Sequence, residues 1–309
     1  MTAREAWQAV DKIRLDMQVS YWADKEVWVS GATGAWGQEI IRQLLLLPVK
    51  RVVGCCRGEH RAFDLAQKAN DTRLQIYLTD IRDGKRVERS LSNCGVAIHT
   101  AALKRVDAFT YSPTEIHDTN VNGTIRVIEG VIKQGVGVGF YVSSDKACQP
   151  TTFYGGTKFL AEQLWLSAGD CGPEMKVGRF GNAIDSTGAV LGIWKKQRDA
   201  GLPLTLTDPD MTRFFMTVKG AVGQILDYLI PIGGSGQVLA PALPAFRLAD
   251  LAEAVAPGHP VEVAGARGYG EKMHETMLIR ADGEVIRSDC ATLISVQGLR
   301  GTLEKEGLL

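Results

Sequence analysis

Apolar positions along this chain recur in two alternating rhythms. Solid runs of branched residues are followed by stretches in which apolar residues return every three or four positions. Val27-Trp28-Val29 reads as a buried strand, and Gln38 to Leu46 as a helix ended by Pro48. Arg51 to Cys56, Leu74 to Leu78 and Val96 to Thr100 are predicted as the next three strands. A long helix pattern follows near Pro113 to Gln134. Phe140 to Ser143 is the fifth strand, Tyr154 to Ser167 a helix, and Lys176 to Phe180 the sixth strand. Such alternation predicts an α/β fold built on a doubly wound parallel sheet, with ligands at the carboxyl ends of its strands.

After residue 183 the pattern becomes irregular, punctuated by Pro203, Pro209, Pro231, Pro241 and Pro244. Residues 1–183 are therefore predicted to form an N-terminal helix plus a Rossmann-type NAD(P)-binding domain. Residues 184–309 are predicted as a smaller substrate-binding portion, with segments such as 217–229 folding back onto the first domain. At the N-terminus Ala6, Trp7, Val10, Ile13 and Met17 mark an amphipathic helix that packs on the domain or on a neighbouring subunit.

Composition narrows the function classes. The 309 residues are 45% hydrophobic and 23% charged with zero formal net charge, which leaves no basic footprint for nucleic acid or an anionic membrane. The six cysteines form no C-x-x-C and read as reduced thiols of a cytoplasmic protein. The five histidines show no metal-ligand spacing, so no metal is expected. The first 20 residues carry too many charges for a secretory leader, and the longest apolar run, Leu44 to Leu47, is too short to span a bilayer.

The first predicted strand runs into Ser30-Gly31-Ala32-Thr33-Gly34-Ala35-Trp36-Gly37. Bare backbone at such glycines lets a pyrophosphate approach the positive end of the following helix. The alternative is a tight strand-to-helix turn without a ligand. The second strand ends in Arg57 with no acid beside it. That favours the 2′-phosphate of NADP, while Glu59 keeps NAD open. Asp80 and Ile81 follow the third strand, where Asp80 either meets the adenine or caps a helix. The small residues Ala101 and Ala102, with Lys104, let a cofactor lie against the backbone after the fourth strand. Asn120 is counted with the cofactor contacts.

Ser143-Ser144-Asp145-Lys146 and Tyr154-Gly155-Gly156-Thr157-Lys158 carry the chemistry. Tyr154 and Lys158 stand one helical turn apart and share a face. A lysine there is expected to lower the phenol's pKa from about 10, making Tyr154 a base toward an alcohol whose hydride goes to a nicotinamide. Ser144 is placed to hold that alcohol. Asp145 and Lys146 add a second acid/base pair that a simple alcohol oxidation does not need.

With these motifs the chain resembles the extended short-chain dehydrogenase/reductases. Within them it is similar to the UDP-N-acetylglucosamine 4,6-dehydratases of the group that inverts carbon 5 and feeds pseudaminic acid-type sugars and polysaccharide biosynthesis. Four stretches carry the resemblance: Ala101 to Lys104; Ser144 to Ala147 with Tyr154 to Lys158; Met211-Thr212-Arg213-Phe214; and Gly270-Glu271-Lys272-Met273-His274-Glu275. The resemblance implies that Tyr154, oriented with Ser144 and tuned by Lys158, oxidises carbon 4. Lys146, as a neutral amine, then removes the carbon 5 proton, and Asp145, as a neutral acid, protonates the departing carbon 6 hydroxyl. It further implies substrate contacts from Lys104, Asn182, Val190, Arg213, Arg267 and Glu271, and a homo-oligomer. For Arg213 and Arg267 a surface ion pair is the alternative, and for Lys104 a solvated side chain. The chain departs from the family pattern at Thr187 and around Arg267-Gly268-Tyr269, and its first 25 residues and the tail after 280 match no named pattern. Other readings are a nucleotide-sugar 4-epimerase or reductase, and a non-catalytic NAD(P)-binding sensor.

Overall fold

The computed structural model describes residues 3–104, 112–186, 189–231, 238–265 and 270–309, with side chains from residue 12 onward. Helix α1 (Ala3–Trp22) leads into strand β1 (Glu26–Ser30). Helices and strands then alternate: α2 (Ala35–Leu45), β2 (Arg51–Cys56), α3 (Glu59–Ala69), β3 (Leu74–Leu78), α4 (Gly84–Ser90), β4 (Val96–His99), α5 (Pro113–His117), α6 (Gly123–Lys133), β5 (Val138–Ser144), α7 (Phe153–Ser167) and β6 (Glu174–Phe180). The remainder comprises α8 (Val190–Asp199), β7 (Leu204–Leu206), β8 (Thr212–Phe214), α9 (Val218–Tyr228), β9 (Val238–Leu239), β10 (Ala245–Arg247), α10 (Leu248–Val255), β11 (Val261–Val263), β12 (Thr276–Ile279), β13 (Val285–Arg287) and α11 (Val296–Lys305).

Seven strands form one parallel sheet in the order β3-β2-β1-β4-β5-β6-β9. The winding direction reverses between β1 and β4, which opens a crevice at their carboxyl ends. β1 shows why the strands are solidly apolar. Val27 and Val29 face one helix layer, with Ile40, Ile41, Leu44 and Phe180, while Trp28 faces the other, with Val127, Val131 and Trp165. Successive side chains alternate across a strand, so a sheet covered on both faces needs apolar residues at every position.

Two segments beyond residue 183 complete this first core. α9 buries Val222, Ile225 and Leu226 against the α2 side, and β9 pairs with β6 through Val177 and Val238. α1 is anchored by Trp22, which is 0% exposed, and by Arg14 and Gln18, which both bond the Asp227 carboxylate of α9. The rest builds a separate core of Trp194, Leu204, Leu206, Phe246, Leu251, Leu299 and Leu303. α11 supplies the last two residues, from the tail that carries no recognised pattern.

The predicted long helix near 113–134 is interrupted. A π-turn at Asp118–Asn122 separates α5 from α6, with the Gly123 amide reaching back five residues to the Asp118 carbonyl. The inserted residue rotates Asn120 out of helical phase and inward.

Candidate active site

The glycine turn sits at the crevice. Gly31 has φ +65°, a backbone that L side chains rarely adopt, and a Cβ there would meet Thr100 Oγ1 at 2.7 Å. A Cβ on Gly37 would stand 2.3 Å from the Gly31 carbonyl oxygen, so α2 begins pressed against the turn. The caps of α7, α9 and α11 are Thr152, Thr217 and Ser295, each bonding its own helix's amides. α2 starts from Gly34 with no capping side chain and no acid in its first turn. The amides after Thr33, at Ala35, Trp36 and Gly37, are thus left for an external anion, as a dinucleotide's pyrophosphate requires. Behind the turn, Ser30 Oγ accepts from the Thr100 and Ala101 amides at 3.0 and 3.1 Å. Its own hydroxyl therefore donates to His99 Nδ1 at 2.6 Å, which leaves His99 Nε2–H for Thr124 Oγ1 at 3.0 Å. Full burial pushes His99 down to about 3, so this buried imidazole is a neutral strut between β1, β4 and α6.

Arg57, at the end of β2, has a side chain 51% exposed and lies 3.8 Å from Asp80. Asp80 is gripped by Arg82 at 2.7 Å, which holds its carboxyl below the usual range. The cap of α4 is Asp83, accepting from the Arg86 amide, so the reading of Asp80 as a helix cap is corrected. Ile81 is buried beneath α6 against Gly123. Asn120 spends its amide on the loop after β4: it accepts from the Leu103 amide at 2.7 Å and donates to the Leu103 carbonyl and to Thr157 Oγ1. Its place is behind Ala101 and Ala102, tying that loop to α7.

The two acid/base motifs meet in a cleft of about 880 Å³ lined by Ser144, Lys146, Tyr154 and Lys158. Lys104, Asn182, Val190, Arg213 and Glu271 line the same cleft. β5 ends at Ser144, and the chain makes one 3-10 turn over Asp145–Ala147 before α7. A Cβ on Gly155 would meet the Lys146 carbonyl oxygen at 2.4 Å, so α7 starts directly against that turn. Ser144 Oγ donates to Asp145 Oδ1 at 2.7 Å, and Lys146 Nζ reaches the same oxygen at 3.2 Å and Asn182 Oδ1 at 2.9 Å. The Asp145 side chain is 1% exposed, that of Lys146 29%.

The protonation pattern differs from that expected of the sequence. Burial pushes Tyr154 up to about 12, with the Lys146 charge only partly offsetting it. Lys158 does not supply a lowering charge: burial pushes it down to about 7, and its Nζ donates to the Val142 carbonyl. Lys146 was expected to be lowered. Burial does act in that direction, but the carboxylates of Asp145 and Glu275 outweigh it and raise Lys146 above its ordinary value. A dry pocket lowers a lysine only if it holds no anions, and this one holds two.

Glu275 is the site residue that the sequence did not single out. It lies far downstream, just before β12, and its only sequence signal is its place at the end of the Gly270 motif. Its side chain is 5% exposed and reaches Lys146 Nζ at 3.4 Å, Arg213 Nε at 3.9 Å and Lys272 Nζ at 3.9 Å. Arg213 is buried and also faces Glu271 at 3.6 Å, so it is no surface ion pair. Gly270, with φ +91°, lets this segment pass so close to Thr151 that a Cβ would stand 2.3 Å from its carbonyl oxygen. Arg267 and Thr187 lie outside the described residues. No group of ligands suited to a metal occurs among the described residues, and no described helix is long and apolar enough to cross a membrane.

Comparison with known proteins agrees with this architecture. The family described as polysaccharide biosynthesis protein matches residues 27–295. The UDP-N-acetylglucosamine 4,6-dehydratase (inverting) of Campylobacter jejuni is 31% identical over 84% of this chain and 79% of its own. A UDP-glucose 4-epimerase of Rickettsia rickettsii is 29% identical over 82% of this chain and 78% of its own. The solved structure of Pen from Bacillus thuringiensis superposes with a TM-score of 0.86 at 30% identity, covering 94% of this chain and 99% of that one.

Proposed function

The chain belongs to the polysaccharide biosynthesis protein family, among the extended short-chain dehydrogenase/reductases that act as nucleotide-sugar dehydratases or epimerases, and on that premise we propose that it is a 4,6-dehydratase. Its proposed substrate is UDP-N-acetylglucosamine, its product a 4-keto-6-deoxy sugar inverted at carbon 5. One observation carries this reading: Lys146 and Asp145 stand beside Ser144 and Tyr154 in a single cleft, giving a second acid/base pair next to the one that oxidises an alcohol.

A nicotinamide dinucleotide, when bound, supplies a hydride acceptor and donor that is restored within each turnover. The uncapped start of α2 fits its pyrophosphate, and exposed Arg57 without a neighbouring acid at the end of β2 favours the 2′-phosphate of NADP over NAD. Ser144 orients the carbon 4 hydroxyl and Tyr154 takes its proton, with Lys158 on the same helix face. The resulting ketone makes the carbon 5 proton acidic, Lys146 removes it, and Asp145 protonates the leaving carbon 6 oxygen. Asn182, Val190, Arg213 and Glu271 hold the nucleotide sugar along the cleft, the Arg213 guanidinium suiting a diphosphate.

Proton NMR of the protein with UDP-N-acetylglucosamine and NADP⁺ in deuterated water tests the reading. A new carbon 6 methyl signal with deuterium at carbon 5 is expected. An epimer at carbon 4 without a methyl signal would instead establish the epimerase, the reading favoured by the rickettsial relative.

A further inference from the structure

Lys146 Nζ faces three acceptors, Asn182 Oδ1 at 2.9 Å, Asp145 Oδ1 at 3.2 Å and Glu275 Oε1 at 3.4 Å. An ammonium has three hydrogens, so this cage fits the charged lysine and leaves no lone pair for the substrate. A lysine that acts as a base must first lose one proton to a neighbour. Asn182 cannot take it. Asp145 Oδ1 already accepts from Ser144, and on the reading above Asp145 needs its proton for the carbon 6 oxygen. Glu275 is different. Its Oε2 is buried without a hydrogen-bond partner. Its backbone is clamped, the Glu275 amide donating to Ser288 Oγ at 2.9 Å and the Ser288 amide to the Glu275 carbonyl. An unpartnered oxygen on a buried carboxylate is costly as an anion and cheaper as a carboxylic acid.

We propose that Glu275 is a positioning residue for Lys146 that receives its proton, so that the amine becomes the base at carbon 5. The inference rests on the dehydratase reading. One N–H bond of Lys146 breaks and an O–H bond of Glu275 forms, giving a neutral amine and a neutral acid. The amine then takes the proton from carbon 5. The C–H electron pair enters the enol system of the 4-ketone, and the carbon 6 oxygen leaves as water with the Asp145 proton. The charged and titratable groups that face this pair are Asp145, Tyr154 and Arg213 around Lys146, and Arg213 and Lys272 around Glu275. Arg213 and Lys272 stand within 3.9 Å of Glu275, so they keep its carboxylate ionised until Lys146 delivers the proton.

The test compares wild type, Glu275→Gln and Glu275→Asp in two assays across pH. Carbon 5 exchange and methyl formation report the Lys146 step, and transient reduced nicotinamide in single turnover reports oxidation at carbon 4. Glu275→Gln is expected to lose roughly 10²-fold in dehydration near neutral pH while carbon 4 oxidation stays near the wild-type rate. The lost rate should return as pH rises, because Lys146 must then give its proton to solvent. Glu275→Asp should keep much of the neutral-pH activity. Dehydration by Glu275→Gln at the wild-type rate, or a loss that pH does not repair and that strikes both steps equally, would overturn the proposal. Should Glu275→Gln fail to fold, Glu275→Asp decides: a folded Asp variant that dehydrates no better at any pH than Lys146→Ala refutes a carboxylate role. Wild type that forms no methyl product sinks the dehydratase reading itself, an outcome separate from any behaviour of the variants.

Discussion

Lys158 Nζ donates to the carbonyl oxygen of Val142 at 2.7 Å and stands 4.0 Å above the ring of Tyr141. Burial pushes this lysine down to about 7, against about 10.4 for the free side chain. Between those values the unfolded chain binds the proton and the folded chain does not, so this group's contribution makes stability rise with pH. Below about pH 7 the charged lysine carries its full burial penalty. Denaturant midpoints of the nucleotide-free protein, compared between wild type and Lys158→Met, should therefore converge as pH climbs from about 7 toward about 10. Parallel curves across that window would place the cost elsewhere.

The two acid/base pairs separate by substitution. Tyr154→Phe should lower oxidation at carbon 4 by roughly 10²–10⁴-fold and dehydration with it. Lys146→Ala should stop dehydration yet still reduce the nicotinamide in single turnover. Retained carbon 4 oxidation in Tyr154→Phe would remove Tyr154 from its assigned role, and unchanged dehydration in Lys146→Ala would do the same for Lys146.

Gly37→Ala should weaken dinucleotide binding. Its methyl would stand 2.3 Å from the Gly31 carbonyl oxygen and 2.7 Å from Ala32 Cα, backbone atoms that cannot turn aside. Such overpacking costs about 1–3 kcal/mol and shifts the uncapped start of α2. Titration calorimetry with NADP⁺ and NAD⁺ checks it. An affinity equal to wild type would show that the pyrophosphate is held elsewhere.

Trp22→Ala should destabilise the protein by about 3–5 kcal/mol, although the residue lies outside the region matched by the family. Trp22 is fully buried with Leu44, Val49 and Leu229 in one cluster. A denaturation midpoint within error of wild type would show that α1 is dispensable.

The sheet was legible because a doubly covered parallel strand must be apolar at every position, as Val27-Trp28-Val29 is. Tyr154 and Lys158 were legible because a helix puts residues four apart on one face. Glu275 was not, because its partnership with Lys146 is made by the second portion closing over the first, and no periodicity encodes it. The state of Lys146 escaped for the same reason: its proton depends on which carboxylates the fold brings near. The π-turn before α6 also escaped, since one inserted residue leaves the apolar spacing of Val127, Ile128 and Val131 almost intact. α11 was missed because Leu299 and Leu303, alone in a polar tail, reveal their role only once α10 supplies the surface they fill.

α9 and β9 have a consequence for biosynthesis. A ribosome delivers the chain from its N-terminus, and the sheet's first six strands emerge by Phe180. The face that Val222, Ile225 and Leu226 cover, and the open edge of β6 that Val238 pairs with, stay bare until some sixty further residues have left the exit tunnel. The nascent nucleotide fold thus passes through a stage with an unprotected strand edge and a sticky flank, and truncation anywhere between Phe180 and Leu239 freezes the protein there.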